Sequence, residues 1–220
     1  MSKKISIPII PIIIGILAII IVVIVLLRGT QENISNLSKI YNQMLENETY
    51  SFTRYTLEEK NKEVVHKKND KTLIDIYDSG EHISTLIADG NTYLISHEYK
   101  EYYVYPSSAA DENVLTNTLK NITQREYTTG KEKIYGITYK YEEYSGFSSF
   151  LFSGQETIDD NSVKTRFYFK GNELVYLKTI YNVKDEETGT TTEKEELQTI
   201  KVEYEVSNSV FEIPSDYAEN

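Results

Sequence analysis

Three histidines, His66, His82 and His97, are the only imidazoles in a 220-residue chain that has no cysteine. Thiolate nucleophiles, cysteine metal ligands and disulfides are therefore excluded together. The histidines stand far apart and lack the H-x-H or H-E-x-x-H spacing that brings two imidazoles to one ion. Two of them could meet across neighbouring strands, but isolated surface histidines are the commoner outcome, so no metal is expected. Asp159-Asp160-Asn161 groups oxygen donors without the fuller pattern of a calcium loop and reads as a turn. No G-x-S-x-G elbow, P-loop or G-x-G-x-x-G occurs. With no constellation for catalysis, the sequence predicts a non-enzymatic protein that needs no cofactor.

Tyrosine is the unusual abundance, at 19 residues against seven phenylalanines and no tryptophan. Tyr99, Tyr102, Tyr103 and Tyr105 crowd one segment, and Tyr135, Tyr139, Tyr141 and Tyr144 another. Amphipathic rings suit cross-strand pairing on half-buried sheet faces. They equally suit the wall of a cavity for an apolar ligand.

The elements that must carry these residues follow from periodicity. From Asn33 to Leu45, apolar residues Ile34, Leu37, Ile40, Tyr41, Met44 and Leu45 recur at helical spacing. After Glu48 the period becomes two. Strands are predicted at Tyr50–Glu58, Val64–Lys68, Thr72–Asp78, His82–Ala88, Thr92–His97 and Glu101–Tyr105, separated by turn pairs such as Ser79-Gly80. Pro106 stops this meander. Ser108 and Asp111 then resemble a capping box ahead of the stripe Val114, Leu115, Leu119 and Ile122. Further strands are predicted at Gln124–Thr129, Lys133–Tyr144, Ser148–Phe152, Lys164–Phe169, Glu173–Val183 and Glu193–Val206. One dry and one wet face per strand implies antiparallel pairing.

Ahead of all this, Ile5 to Leu27 is a 23-residue run whose only polar member is Ser6. At about 1.5 Å per residue it spans roughly 35 Å, enough for a bilayer core. It lacks the small-residue cleavage site of a secretory signal, so an uncleaved signal anchor is expected. Lys3 and Lys4 imply a cytoplasmic N-terminus. The expected organisation is a tail at 1–4, an anchor at 5–27, a linker at 28–32 and a domain at 33–220 outside the cell, on the plasma membrane. Lys3, Lys4 and Arg28 flank the run, leaving 20 of the 23 basic residues against 34 acidic ones for the rest. Such a surface repels phosphate backbones, so nucleic acid is not an expected partner.

The order helix, strands, helix, strands resembles the LolA/LolB-like superfamily of lipoprotein carriers. Thr165 to Val175 looks like that family's strand–turn–strand, Val210 to Tyr217 like its "F-x-I/L-P" close, and Asp89-Gly90 to Tyr93 like its "D-G-x-x-Y/W" hairpin. The resemblance implies an α+β fold in which an incomplete antiparallel β-barrel, a half-barrel, is covered by short helices. It also implies a lipid or acyl chain in a cavity lined by Tyr93, Ile95, Tyr103, Tyr105, Tyr139, Phe167, Phe169, Ile200, Val202 and Tyr204. The expected function is thus a membrane-anchored extracytoplasmic binding module. The alternative is an envelope sensory or protein-interaction ectodomain with no lipid ligand.

Overall fold

Period-two alternation after Glu48 becomes, in the computed structural model, a single 12-stranded sheet. The structure describes residues 34–56, 61–107, 114–146, 150, 162–184 and 188–220. The sheet belongs to a compact unit that runs from Ser35 to Asn220. The strands are β1 (Thr49–Thr56), β2 (Asn61–Lys68), β3 (Lys71–Asp78), β4 (Glu81–Ala88), β5 (Asn91–Ser96), β6 (Glu101–Pro106), β7 (Thr128–Ile134), β8 (Ile137–Ser145), β9 (Lys164–Lys170), β10 (Glu173–Lys184), β11 (Thr191–Glu203) and β12 (Ala218–Glu219). Their order is β12-β6-β5-β4-β3-β2-β1-β11-β10-β9-β8-β7. Two meanders, β1–β6 and β7–β11, are joined through the β1–β11 pair, and every pairing is antiparallel except the short β12–β6 pair.

Three expectations are corrected here. The sheet is open, not a half-barrel: its order is linear, with β12 and β7 as its two ends. Barrel curvature needs strand tilt and register stagger that bring the ends toward each other. Here β6 is instead finished by a two-residue parallel strand. Second, the single-pass plasma-membrane placement is withdrawn, because no helix among the described residues is long and apolar enough to cross a membrane. Its expected anchor, Ile5–Leu27, lies outside the described residues, as do Ser108 and Asp111. Third, the segment predicted as one strand over Lys133–Tyr144 is a hairpin. Tyr135 (φ 48°) and Gly136 (φ 84°) form its two-residue turn, and β7 lies on one side with β8 on the other. Two successive left-handed residues match the twist of a tight hairpin, and glycine is the residue that takes the second without strain.

Two helices sit on one face of the sheet. α1 (Asn36–Asn47) begins at Ser35, whose hydroxyl accepts from Ser38 N at 2.9 Å, and ends at left-handed Glu48. α2 (Val114–Thr123) packs beside it. Their buried stripes, Leu37, Ile40 and Met44 on α1 and Leu115, Leu119 and Ile122 on α2, meet Tyr50, Phe52, Val65, Phe167, Phe169 and Leu177 from the sheet in the main core. A second cluster lies on the opposite face. There Leu73, Leu86, Ala88 and Ile95 are covered by Val206 and Phe211 of the C-terminal segment. Alternate side chains of a strand face opposite ways, so the β1–β6 meander contributes to both clusters, while β8–β11 add Tyr144, Phe167, Phe169, Leu177 and Ile200 to the first.

Candidate functional site

The helix-free face carries a row of directly opposed cross-strand residues. Starting in β8 it runs Tyr141, Tyr168, Tyr176, Thr199, Tyr55, Lys62, Tyr77 and His82. His97 lies opposite His82, its backbone N–H donating to His82 O at 3.2 Å. Five of the 19 tyrosines are thereby placed: rings pair across strands on a half-buried face. Lys62 Nζ lies 5.2 Å from the Tyr77 ring centroid, Tyr77 stacks on His82 at 4.0 Å, and His82 stacks on His97 at 3.6 Å with only 3° between the planes.

At the histidine end the row becomes a polar cluster. Asp75 and Ser84 are direct partners on β3 and β4, on the same face as His82. His82 Nε2 lies 3.2 Å from Asp75 Oδ1, and Ser84 Oγ lies 2.6 Å from His97 Nε2 and donates to Asp75 Oδ1. On the far side of its ring, His97 Nδ1 is 2.9 Å from the hydroxyl of Tyr217, which the C-terminal segment delivers. One ligand atom from each of Asp75, His82 and His97 falls within 4.8 Å of the others. Burial and the stacked His82 hold the His97 imidazole below its ordinary range, and Asp75 opposes this only partly. Burial likewise lowers the neighbouring His66, while burial and Asp75 raise the Tyr77 hydroxyl. An open groove of about 490 Å³, lined by Tyr55, Lys62, His66, Asp75, Tyr77 and Lys201 among others, adjoins the cluster through Asp75. This is not a serine-nucleophile arrangement. The carboxylate engages the serine hydroxyl directly instead of orienting the histidine through its second nitrogen.

The residues predicted to line an apolar cavity fall in several places. Phe167, Phe169 and Ile200 are buried in the main core, with Val202 and Tyr204 packed against it. Ile95 and Tyr93 belong to the C-terminal cluster on the other face. Tyr139 packs with Tyr168 and Ile134 in a third cluster. Tyr103 and Tyr105 are exposed, on the face that carries the helices. These two have neighbours that sequence reasoning missed. Leu94 opposes Tyr103, Ile83 opposes Ile76, and all five side chains share that face of β3–β6. Each is between 40 and 47% exposed, large values for a sheet face. The signal was present in the sequence as isolated apolar residues (Ile76, Ile83, Leu94, Tyr103, Tyr105) among the polar positions of the same strand faces.

No family model matches the chain, and no curated protein matches it significantly. Among solved structures, an uncharacterized conserved protein from Thermus thermophilus superposes with a TM-score of 0.43. The match has 11% identity over 84% of this chain and 99% of that one. At that score the likeness informs neither fold nor function.

Proposed function

We propose that the domain is a non-enzymatic binding module that seats a neutral acyl chain on the uncovered apolar face of β3–β6. The observation that carries this is the contiguous surface of Ile76, Ile83, Leu94, Tyr103 and Tyr105. Soluble domains rarely leave such patches without a binding role. The row Phe52, Val65, Ile74, Thr85, Leu94 and Tyr103 crosses the sheet on one face. Its first members are sealed by the helices, while Leu94 and Tyr103 are open. Asp78, Glu81 and Glu101 lie on the same face and supply negative charge at its margin, which disfavours anionic headgroups and leaves the uncharged chain as the fitting ligand. The resemblance of the Asp89-Gly90 and Lys170-Gly171 hairpins to lipoprotein carriers supports the same ligand class.

The test is lipid extraction and mass spectrometry of the purified full chain, beside Ile83→Glu and Leu94→Glu. Acyl-chain lipids should co-purify with the wild type and fall at least about tenfold in each variant, with the circular dichroism spectrum unchanged. Both sites are surface positions where substitution costs little stability. Lipid-free wild-type protein, or undiminished lipid in both variants, would overturn the proposal. So would a protein partner captured through the same face in place of lipid.

A further inference from the structure

We infer that Asp75, His82 and His97 form a binding site for a divalent first-row transition metal ion such as Zn²⁺. Two imidazoles and one carboxylate are a donor set suited to zinc and its neighbours, and three protein ligands leave a coordination position open. The three donors come from β3, β4 and the residue just after β5, so the hydrogen-bonded sheet, not a mobile loop, fixes their separation. Their ligand atoms already lie within 4.8 Å of one another. Donors around one tetrahedral ion with bonds of about 2.0–2.2 Å stand roughly 3.3–3.6 Å apart, so the set has to contract by about an ångström at its widest. Closing the remainder needs side-chain rotation alone: the parallel His82 and His97 rings splay so that both Nε2 atoms turn toward the ion.

Two features beyond proximity support the assignment. Metal-bound histidines usually hold their second ring nitrogen in a hydrogen bond that fixes the tautomer. His97 Nδ1 has such a partner in Tyr217 Oη at 2.9 Å; in the tautomer that donates there, Nε2 carries the lone pair an ion takes, and Ser84 keeps its proton on Asp75. In addition, Ser84 Oγ lies 2.6 Å from His97 Nε2 and 3.4 Å from His82 Nε2, and it also meets Asp75 Oδ1. A single hydroxyl thus occupies the middle of a donor set, and it offers the ion an additional oxygen.

The experiment is calorimetric titration of the untagged full chain with ZnCl₂ at pH 7.5, paired with absorption spectra of the Co²⁺-loaded protein. The chain has no cysteine and three histidines, so competing soft or imidazole sites are few. Wild-type protein should bind one equivalent, with Co²⁺ giving ligand-field bands that Zn²⁺ displaces. His82→Gln and His97→Gln should each weaken binding by about 100-fold or more. His66→Gln, which removes the one histidine outside the donor set, should change it less than threefold. Because His97 also anchors Tyr217, the His82 variant provides the decisive comparison if His97→Gln is poorly folded. Absence of stoichiometric binding by the wild type, or unchanged affinity in folded His82→Gln, would overturn the site.

Discussion

Glu142 tests how the helical layer is held on the sheet. Its side chain is buried, and its carboxylate accepts from Asn36 N at 2.6 Å and Leu37 N at 3.1 Å at the first turn of α1. The Tyr144 hydroxyl donates to the same carboxylate at 3.3 Å. Ser35 caps Ser38 N, so sheet and cap between them satisfy three N–H groups at this terminus. Hydrogen bonds to a charged group are worth about 1.5–3 kcal/mol each, and the helix dipole adds up to ~2 kcal/mol in a partly buried site. Desolvating the carboxylate takes back several kcal/mol. Glu142→Ala removes the acceptor and leaves two buried N–H groups without it. The expected loss is about 3 kcal/mol, a fall in Tm of roughly 6–12 °C for a domain of this size. Glu142→Gln, which keeps one oxygen, should lose about half of that. Urea unfolding followed by circular dichroism gives both values. Ser35→Ala should cost about 1 kcal/mol, and the double variant should be non-additive because both residues act on one helix end. A stability change below ~0.5 kcal/mol for Glu142→Ala would refute the reasoning. So would a Glu142→Leu variant more stable than wild type, since desolvation would then outweigh the capping.

Leu37, fully buried between α1 and the sheet, should cost about 2–5 kcal/mol when changed to Ala, measured by the same unfolding. Gly130 lies under the Tyr141 ring, and an added Cβ would stand 2.9 Å from the ring's Cε1 atom. Gly130→Ala should therefore push that ring off Arg166, which it faces at 4.7 Å, at a cost of about 1–3 kcal/mol by thermal melting. Glu132 is opposed by desolvation, but Lys178, Tyr168 and Arg166 outweigh this and hold its carboxyl below the ordinary range. Its contribution is full above the unfolded value of about 4.5 and is lost as pH falls through the lower folded value, so Glu132→Gln should flatten the acid limb of a stability–pH curve.

Much of the strand ladder was legible because turn chemistry and period-two alternation agree. Ser79-Gly80, Asp89-Gly90 and Lys170-Gly171 each sit where a hairpin turns. Tyr135-Gly136 escaped because a bulky ring at the first turn position hid a turn inside a run of good strand formers. The half-barrel expectation failed for a different reason. Alternation sets which side chains share a face, but not how far the edges of the sheet approach. The predicted cavity residues dispersed for the same cause. Ile95 and Leu94 are adjacent in β5 yet face opposite ways, and only the placement of β5 between β4 and β6 decides that Ile95 joins a buried cluster while Leu94 stays exposed. His82 and His97 are 15 positions apart in sequence, and it is the β4–β5 register that stacks them.

That register also separates the two candidate surfaces. In β4, His82 and Ser84 belong to the polar cluster, while Ile83 between them belongs to the apolar patch. In β5, Leu94 faces the patch and the following Ile95 faces the C-terminal cluster, from which Tyr217 reaches His97. A strand cannot give up one surface by sliding a single residue without destroying the other, because every side chain would change face. The two helices cover only part of one face of a 12-stranded sheet, and the C-terminal segment covers only part of the other. What stays open is therefore a consequence of sheet width: the helices seal Ile74 but not Ile76, Ile83, Leu94, Tyr103 and Tyr105 on their own face, while the C-terminal segment covers Leu73, Leu86 and Ile95 of the same strands on the other. The residues placed there are not the polar ones a merely solvated surface would carry. They are apolar on one side, with Asp78, Glu81 and Glu101 at the margin, and a stacked imidazole pair with a carboxylate on the other, which is why both proposed ligands are assigned to this part of the sheet.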